Sequence, residues 1–209
     1  MAITPSKENI LKNIRQALSN PVPLPFPESE GTDTVFKSAK EDEAIIFAEE
    51  FTKLQGKFAF CADEADFFTQ LHTLIKERNW VNIYCSEEKF LPYLTRAEIT
   101  PYSNLATCDV SITGCEYLIA RTGTMVLSAA QQSGRTGSVY APVHICVAYS
   151  SQMLYDIKDA LIFLKEKYNN NFPSFVSFAS GPSRTADIEK TLVTGVHGPK
   201  EVYCFLIEA

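Results

Sequence analysis

Lys57-Phe58-Ala59-Phe60-Cys61 is a short apolar run placed directly after Gly56, and a different rhythm follows it. From Asp63 to Arg78 the apolar residues Phe67, Phe68, Leu71 and Leu74 or Ile75 return every three to four positions, the spacing of one helix face. From Trp80 to Cys85 the chain is apolar and β-prone again. Strand, amphipathic helix and strand in this order predict an α/β fold with an open, largely parallel sheet flanked by helices.

The same alternation extends in both directions. Upstream, Ala44, Ile45, Ala48, Phe51 and Leu54 predict a helix from about Ser38 to Leu54, ended by Gly56. Downstream, Glu87 to Leu94 reads as a short helix. Further strands are expected at Thr124–Leu127, Val143–Ala148, Phe175–Ala179 and Val202–Ile207. Ser151 to Tyr168 reads as one helix through Leu154, Ile157, Leu161 and Leu164. Seven of the nine glycines lie between Gly114 and Gly198, so loops able to approach a ligand are expected there.

The N-terminus has another texture. Ile10, Leu11, Ile14, Ala17 and Leu18 form an apolar stripe that Ser6 can cap, so residues 1–20 read as a helical arm. Pro21, Pro23, Pro25 and Pro27 make residues 21–37 an extended linker. Residues 38–209 form the α/β domain. The arm must dock on its own body or on another subunit, which makes it a candidate homo-oligomer contact.

Composition excludes several classes. A formal charge of -6 argues against nucleic acid as a partner. No stretch approaches the roughly 20 apolar residues of a membrane span, and no export signal is recognised, so a cytoplasmic protein with reduced thiols is expected. The six cysteines, at 61, 85, 108, 115, 146 and 204, show no Cys-x-x-Cys spacing. No metal or iron–sulfur ligand set is expected in this chain, and the cofactor is left unassigned.

Four segments carry candidate chemistry. In Ser180-Gly181-Pro182-Ser183-Arg184-Thr185, a strand enters a glycine loop that a helix is expected to follow. Gly181 admits close approach, Ser183 can cap the helix, and exposed N–H groups with Arg184 and Thr185 can hold a carboxylate or phosphate. In Gly195-Val196-His197-Gly198-Pro199 the glycines fix His197 on a tight loop, suited to acid–base work or to orienting an anion. Ile112 to Thr124 reads as strand, turn, short helix, turn, strand. It offers Thr122, Gly123 and Thr124 as pocket donors and Glu116 as a base or as a surface carboxylate. Arg135 lies on a glycine loop as an anion contact, and His144 opens a strand as a ligand or a core-edge histidine. Cys115, beside a glycine, is a reactive-thiol candidate or a structural residue.

Together and in this order, these segments resemble the LUD-domain family, in its lactate-utilisation-protein-C branch. The resemblance rests on Ile10 to Leu18, Thr122-Gly123-Thr124, Pro142-Val143-His144-Ile145, Ser180 to Glu189 and Gly195 to Pro199. It covers the arm and about Asp109 to Ala209. It implies a fold like that of the glucosamine-phosphate isomerase, ribose-phosphate isomerase and CoA-transferase group. It also implies a cytoplasmic role in oxidising L-lactate to pyruvate beside iron–sulfur-containing partner proteins. Where that family usually carries an acidic residue before Thr-Gly-Thr, this chain has Arg121. Three roles fit: a subunit of a lactate-oxidising system that binds a small anionic ligand, a free-standing enzyme on a sugar phosphate or acyl-CoA, and a non-catalytic assembly or regulatory subunit.

Overall fold

The computed structural model describes residues 5–19, 42–188 and 191–208. The proline linker, the first residues of the helix expected from Ser38, and Glu189 lie outside the described residues. The chain divides into two compact units, Met1–Ser38 and Ala39–Ala209. In the first, helix α1 (Pro5–Ser19) starts at Pro5, ahead of the Ser6 expected to cap it. Proline suits a first turn because its missing N–H has no intrahelical partner there.

In the second unit the three longest helices each start at an aspartate. The Asp42 carboxylate accepts from the Ala44 N–H at 2.8 Å and opens α2 (Glu43–Lys53). Asp63 accepts from the Asp66 N–H at 2.8 Å and opens α3 (Glu64–Arg78), while Asp66 accepts from the Ala62 N–H at 3.0 Å. These contacts satisfy donors that the helix itself leaves bare.

The strands β1 (Lys57–Cys61), β2 (Ile83–Cys85) and β3 (Val110–Gly114) are three of the five in a parallel sheet. The others are β6 (Val143–Tyr149) and β11 (Glu201–Ile207), and the order is β1-β11-β6-β3-β2. Side chains alternate between its faces. Val110, Ile112, Val143, Ile145, Val147, Phe205 and Ile207 face α3 and α4 (Leu91–Arg96), meeting Phe67, Leu71, Ile75 and Leu94. Cys146, Ala148, Val202, Cys204 and Leu206 face the other way, toward Phe47 and Phe51 of α2.

The second face is also covered by an element absent from the sequence-based expectation: a second, four-stranded sheet. It is built from β4 (Tyr117–Ile119), β5 (Thr124–Ser128), β7 (Met153–Leu154) and β8 (Val176–Ala179), in the order β7-β4-β5-β8. Leu118, Met125 and Leu127 point into the parallel sheet, while Tyr117, Ile119 and Val126 pack on α5 (Ile157–Tyr168). This corrects the short helix expected after Gly114. Tyr117-Leu118-Ile119 is buried on both sides, which a strand between two layers achieves and a one-faced helix does not. The helix expected from Ser151 begins instead at Ile157, because Met153-Leu154 pairs with β4 and Asp156 caps α5 through the Lys158 N–H at 3.0 Å.

A third correction concerns the Ser183 loop. No helix follows it. Arg184–Ile188 is a strand, β9, paired antiparallel with β10 (Thr191–Thr194). The Ser183 N–H donates to the Pro199 carbonyl, and the Ser183 carbonyl accepts from the Gly195 N–H, both at 2.9 Å. Ser183 therefore belongs to an extended ladder and caps nothing.

Candidate functional site

The Ser183 and His197 loops meet at the amino-terminal ends of β6 and β11, where the second sheet closes over the first. A hollow of about 230 Å³ lies there. Met125, Leu127, Ala179 and Val202 give it apolar walls, and its polar groups are His144, His197, Ser138, Ser177 and Ser183. In open parallel sheets ligand loops gather at the carboxyl ends of the strands. Here the Ser180-Gly181 turn leaves β8, a strand of the antiparallel ladder, so that rule does not govern it.

Glycines set the loop paths. Gly181 has φ +93°, and a Cβ there would come within 2.7 Å of the Leu54 carbonyl oxygen. A Cβ on Gly198 would stand 2.9 Å from the Ser183 Cβ, so the His197 loop seats itself against Ser183 only because that position is glycine.

His144 is the second residue of β6 and is 1% exposed. Its register neighbours are Ser111 of β3 and Val202 of β11. Its Nε2 lies 2.8 Å from the Thr113 hydroxyl. Burial holds its pKa down at about 4, so it is neutral near pH 7. His197 is exposed and stands at the rim, shared with an adjoining groove of about 440 Å³ lined by Tyr140, Pro142, Val196 and Lys200.

The LUD domain model matches residues 87–207, more than half of the chain. The chain belongs to the LUD-domain family. It is 37% identical over 99 residues to an uncharacterised protein of Neisseria meningitidis serogroup B, covering 47% of this chain and 42% of that one. It is 35% identical over 101 residues to lactate utilization protein C of Halalkalibacterium halodurans, covering 47% and 44%. With lactate utilization protein C 1 of Bacillus mycoides the match is 29% over 187 residues and covers 79% of each. The first two matches thus span less than half the length of those relatives. A crystal structure of a DUF162 family protein from Deinococcus radiodurans shares the fold, with a TM-score of 0.60 at 18% identity over 80% of this chain and 99% of that one.

Within this LUD domain, Gly181, Ser183, His144 and His197 come together around one hollow. The other expected residues are engaged elsewhere. Arg184 donates to the Leu54 carbonyl at the carboxyl end of α2, where a helix has bare acceptors and a negative dipole end. Thr185 is in β9, opposite Val193. Arg135 donates to the Ser174 hydroxyl at 2.7 Å and lies over the Phe175 ring. Thr122 and Thr124 bond each other at 2.7 Å, and Thr124 reaches the Ser180 hydroxyl at 2.6 Å, so this pair fastens the start of the Ser183 loop. A Cβ on Gly123 would meet the Phe51 backbone nitrogen at 2.3 Å, so this glycine serves packing against α2.

Glu116 is neither a free base nor a surface carboxylate. It is buried, bonded by Lys167 and Tyr168, each at 2.7 Å, and by the Ser128 hydroxyl. Burial pushes its pKa up, but these three hydrogen bonds outweigh that and hold it below the usual range. Cys115 is buried and its thiol is pushed well up by its contact with Cys146 and by burial, which makes it inert near pH 7. Arg121 pairs with Asp156 at 2.8 Å and steadies the α5 cap. Among the described residues no group of three metal-ligating side chains converges, and no helix is long and apolar enough to cross a membrane.

Sequence reasoning missed Ser138 and Ser177. Ser177 had a signal: in Val176-Ser177-Phe178-Ala179 the small residues alternate with large ones, and Ser177 and Ala179 pair with Leu127 and Met125 across the ladder. Ser138 lies in turns between β5 and β6 and carries no local pattern.

Proposed function

We propose that this chain is a component of an L-lactate oxidation system, and that its hollow binds the small acid through Ser183, His197 and His144. The observation that carries the proposal is the convergence of two histidines and three serines around a space of about 230 Å³, in a chain whose relatives include proteins named lactate utilization protein C. That space is below the usual range for drug-sized ligands and suits a metabolite of a few carbons. The carboxylate end is assigned to the His197 rim, with Lys200 nearby in the adjoining groove. The apolar floor of Met125 and Leu127 takes the carbon chain.

Oxidation of lactate to pyruvate releases two electrons and two protons. Their carriers are assigned to iron–sulfur-containing partner proteins, with the chain acting in the cytoplasm and α1 serving as a docking arm for a partner or a second copy. The fold is read as one of the glucosamine-phosphate isomerase, ribose-phosphate isomerase and CoA-transferase type. A sugar-phosphate or acyl-CoA enzyme is the weaker reading. The helix N-terminus expected to hold a phosphate is a strand, and among the described residues no lysine or arginine lines the hollow, which a doubly charged phosphate needs more than a single carboxylate does.

The test is a thermal-shift and calorimetric comparison of L-lactate, pyruvate, inorganic phosphate and a CoA ester. Stabilisation by the acids that is lost in Ser183→Ala is expected. Stabilisation by phosphate or CoA alone would overturn the reading.

A further inference from the structure

The hollow contains a hydrogen-bond acceptor whose direction is set from behind. Thr113 donates its hydroxyl hydrogen to the Gly114 carbonyl at 3.0 Å. A hydroxyl has one hydrogen, so at its 2.8 Å contact with His144 Nε2 the Thr113 oxygen accepts and the imidazole donates. A neutral imidazole carries one N–H, so once Nε2 holds it, Nδ1 is left with a bare lone pair. Among the described residues Nδ1 has no partner, although His144 is 1% exposed and lines the hollow. Beside it in register, the Ser111 hydroxyl is buried without a partner. Nδ1 is not among the fully buried atoms, so the little surface His144 keeps opens on the hollow it lines, and an acceptor placed there without a protein partner is open to a ligand that brings the hydrogen.

We propose that Thr113 locks His144 in its Nε2–H form so that Nδ1 accepts a hydrogen bond from the ligand, and that the hollow thereby selects a 2-hydroxy acid over its 2-oxo counterpart. The inference rests on the small-acid reading above and sharpens it. A lactate hydroxyl donates to Nδ1. The pyruvate carbonyl has no hydrogen to donate and sets one lone pair against another. Thr113 is a positioning residue, since it acts through the imidazole and lines no part of the hollow.

The tautomer is read without any ligand, by long-range ¹H–¹⁵N NMR of the full chain at pH 7. The chain has three histidines, and His72→Gln and His197→Gln assign the His144 signals. A protonated Nε2 with an unprotonated Nδ1 is expected. Thr113→Ser keeps that pattern, and Thr113→Val, which removes the acceptor, shifts hydrogen toward Nδ1. Calorimetry should then show L-lactate binding on the order of tenfold tighter than pyruvate, the worth of one hydrogen bond. That preference survives in Thr113→Ser and collapses in Thr113→Val. A protonated Nδ1 in the unaltered chain overturns the inference whatever binds, as does an Nε2–H form that takes pyruvate as well as lactate. If neither acid binds, the small-acid reading falls and takes the selectivity with it, and the tautomer shows that the ligand assignment was the part in error.

Discussion

Lys167 Nζ lies 2.7 Å from Glu116 Oε2, joining the last turn of α5 to the turn that leads into β4. The carboxylate is buried while the ammonium is half exposed. Water therefore compensates a lost lysine contact poorly and a lost carboxylate well. Lys167→Met is expected to cost about 2 kcal/mol, by leaving a buried carboxylate short of its cation. Glu116→Gln should cost less, because the amide keeps partners in Ser128 and Tyr168. Urea denaturation at pH 7 checks the order, and a costlier Glu116→Gln contradicts it.

The same carboxylate contributes to acid sensitivity. Its folded pKa is lowered, so its stabilisation is present above the unfolded value near 4.5 and is lost as pH falls through the folded value. His144 acts in a higher window. Its folded pKa is about 4 against 6.5 unfolded, so the unfolded chain takes up the proton first. Stability is full above pH 6.5 and falls by about 3 kcal/mol in total as pH drops toward 4. Chemical denaturation across that range should show a slope that His144→Gln flattens. An unchanged slope in that variant counts against a buried neutral imidazole.

Gly123→Ala is expected to destabilise by about 2–4 kcal/mol. Its φ is +55°, and the added Cβ would press on the Phe51 backbone at 2.3 Å. The Phe51 side cannot retreat easily, because its ring already lies where a Cβ on Gly56 would be, at 2.4 Å. A melting temperature within a degree of the unaltered chain would show that α2 gives way.

Arg184→Ala separates the expectation raised by the sequence from the arrangement found. An arginine that closes the end of α2 should cost below about 1 kcal/mol when truncated, since it is exposed and partnered by one carbonyl. Affinity for L-lactate should stay within about threefold. Ser183→Ala, one residue earlier, should lower that affinity on the order of tenfold at unchanged stability. The reverse result would return Arg184 to the ligand.

Arg121→Glu places a carboxylate opposite Asp156. The pair that now holds the α5 cap becomes a repulsion, with an expected cost of about 1–2 kcal/mol. Arg121→Glu combined with Asp156→Asn should recover part of that loss in thermal denaturation.

Much of the architecture was readable in advance. Phe67, Leu71 and Ile75 announced α3, and Val143 to Ala148 announced β6, because apolar spacing reports directly which face an element buries. Of the second sheet, β5 and β8 were readable as strands, but β4, β7 and the separate sheet they complete were not. Leu118 and Ile119 sit side by side and face different layers, and consecutive apolar residues look alike in a helix, a strand or a turn. Of the residues lining the hollow, Gly181, Ser183 and His197 were legible as loop glycines and the polar residues beside them, and His144 as a residue opening a strand, a ligand or a core-edge histidine.

The chain's local rhythm was enough to set the strands of its parallel sheet, the helices α2 and α3 and its family, since burial of one face is written in residues a few positions apart. The partners of its charges came from folding alone. Arg184 finds a carbonyl 130 positions away, and Glu116 a lysine 51 positions away. Which loop meets which is fixed by the stacking of two sheets, and charge on a side chain acts only over the few ångströms that such stacking creates.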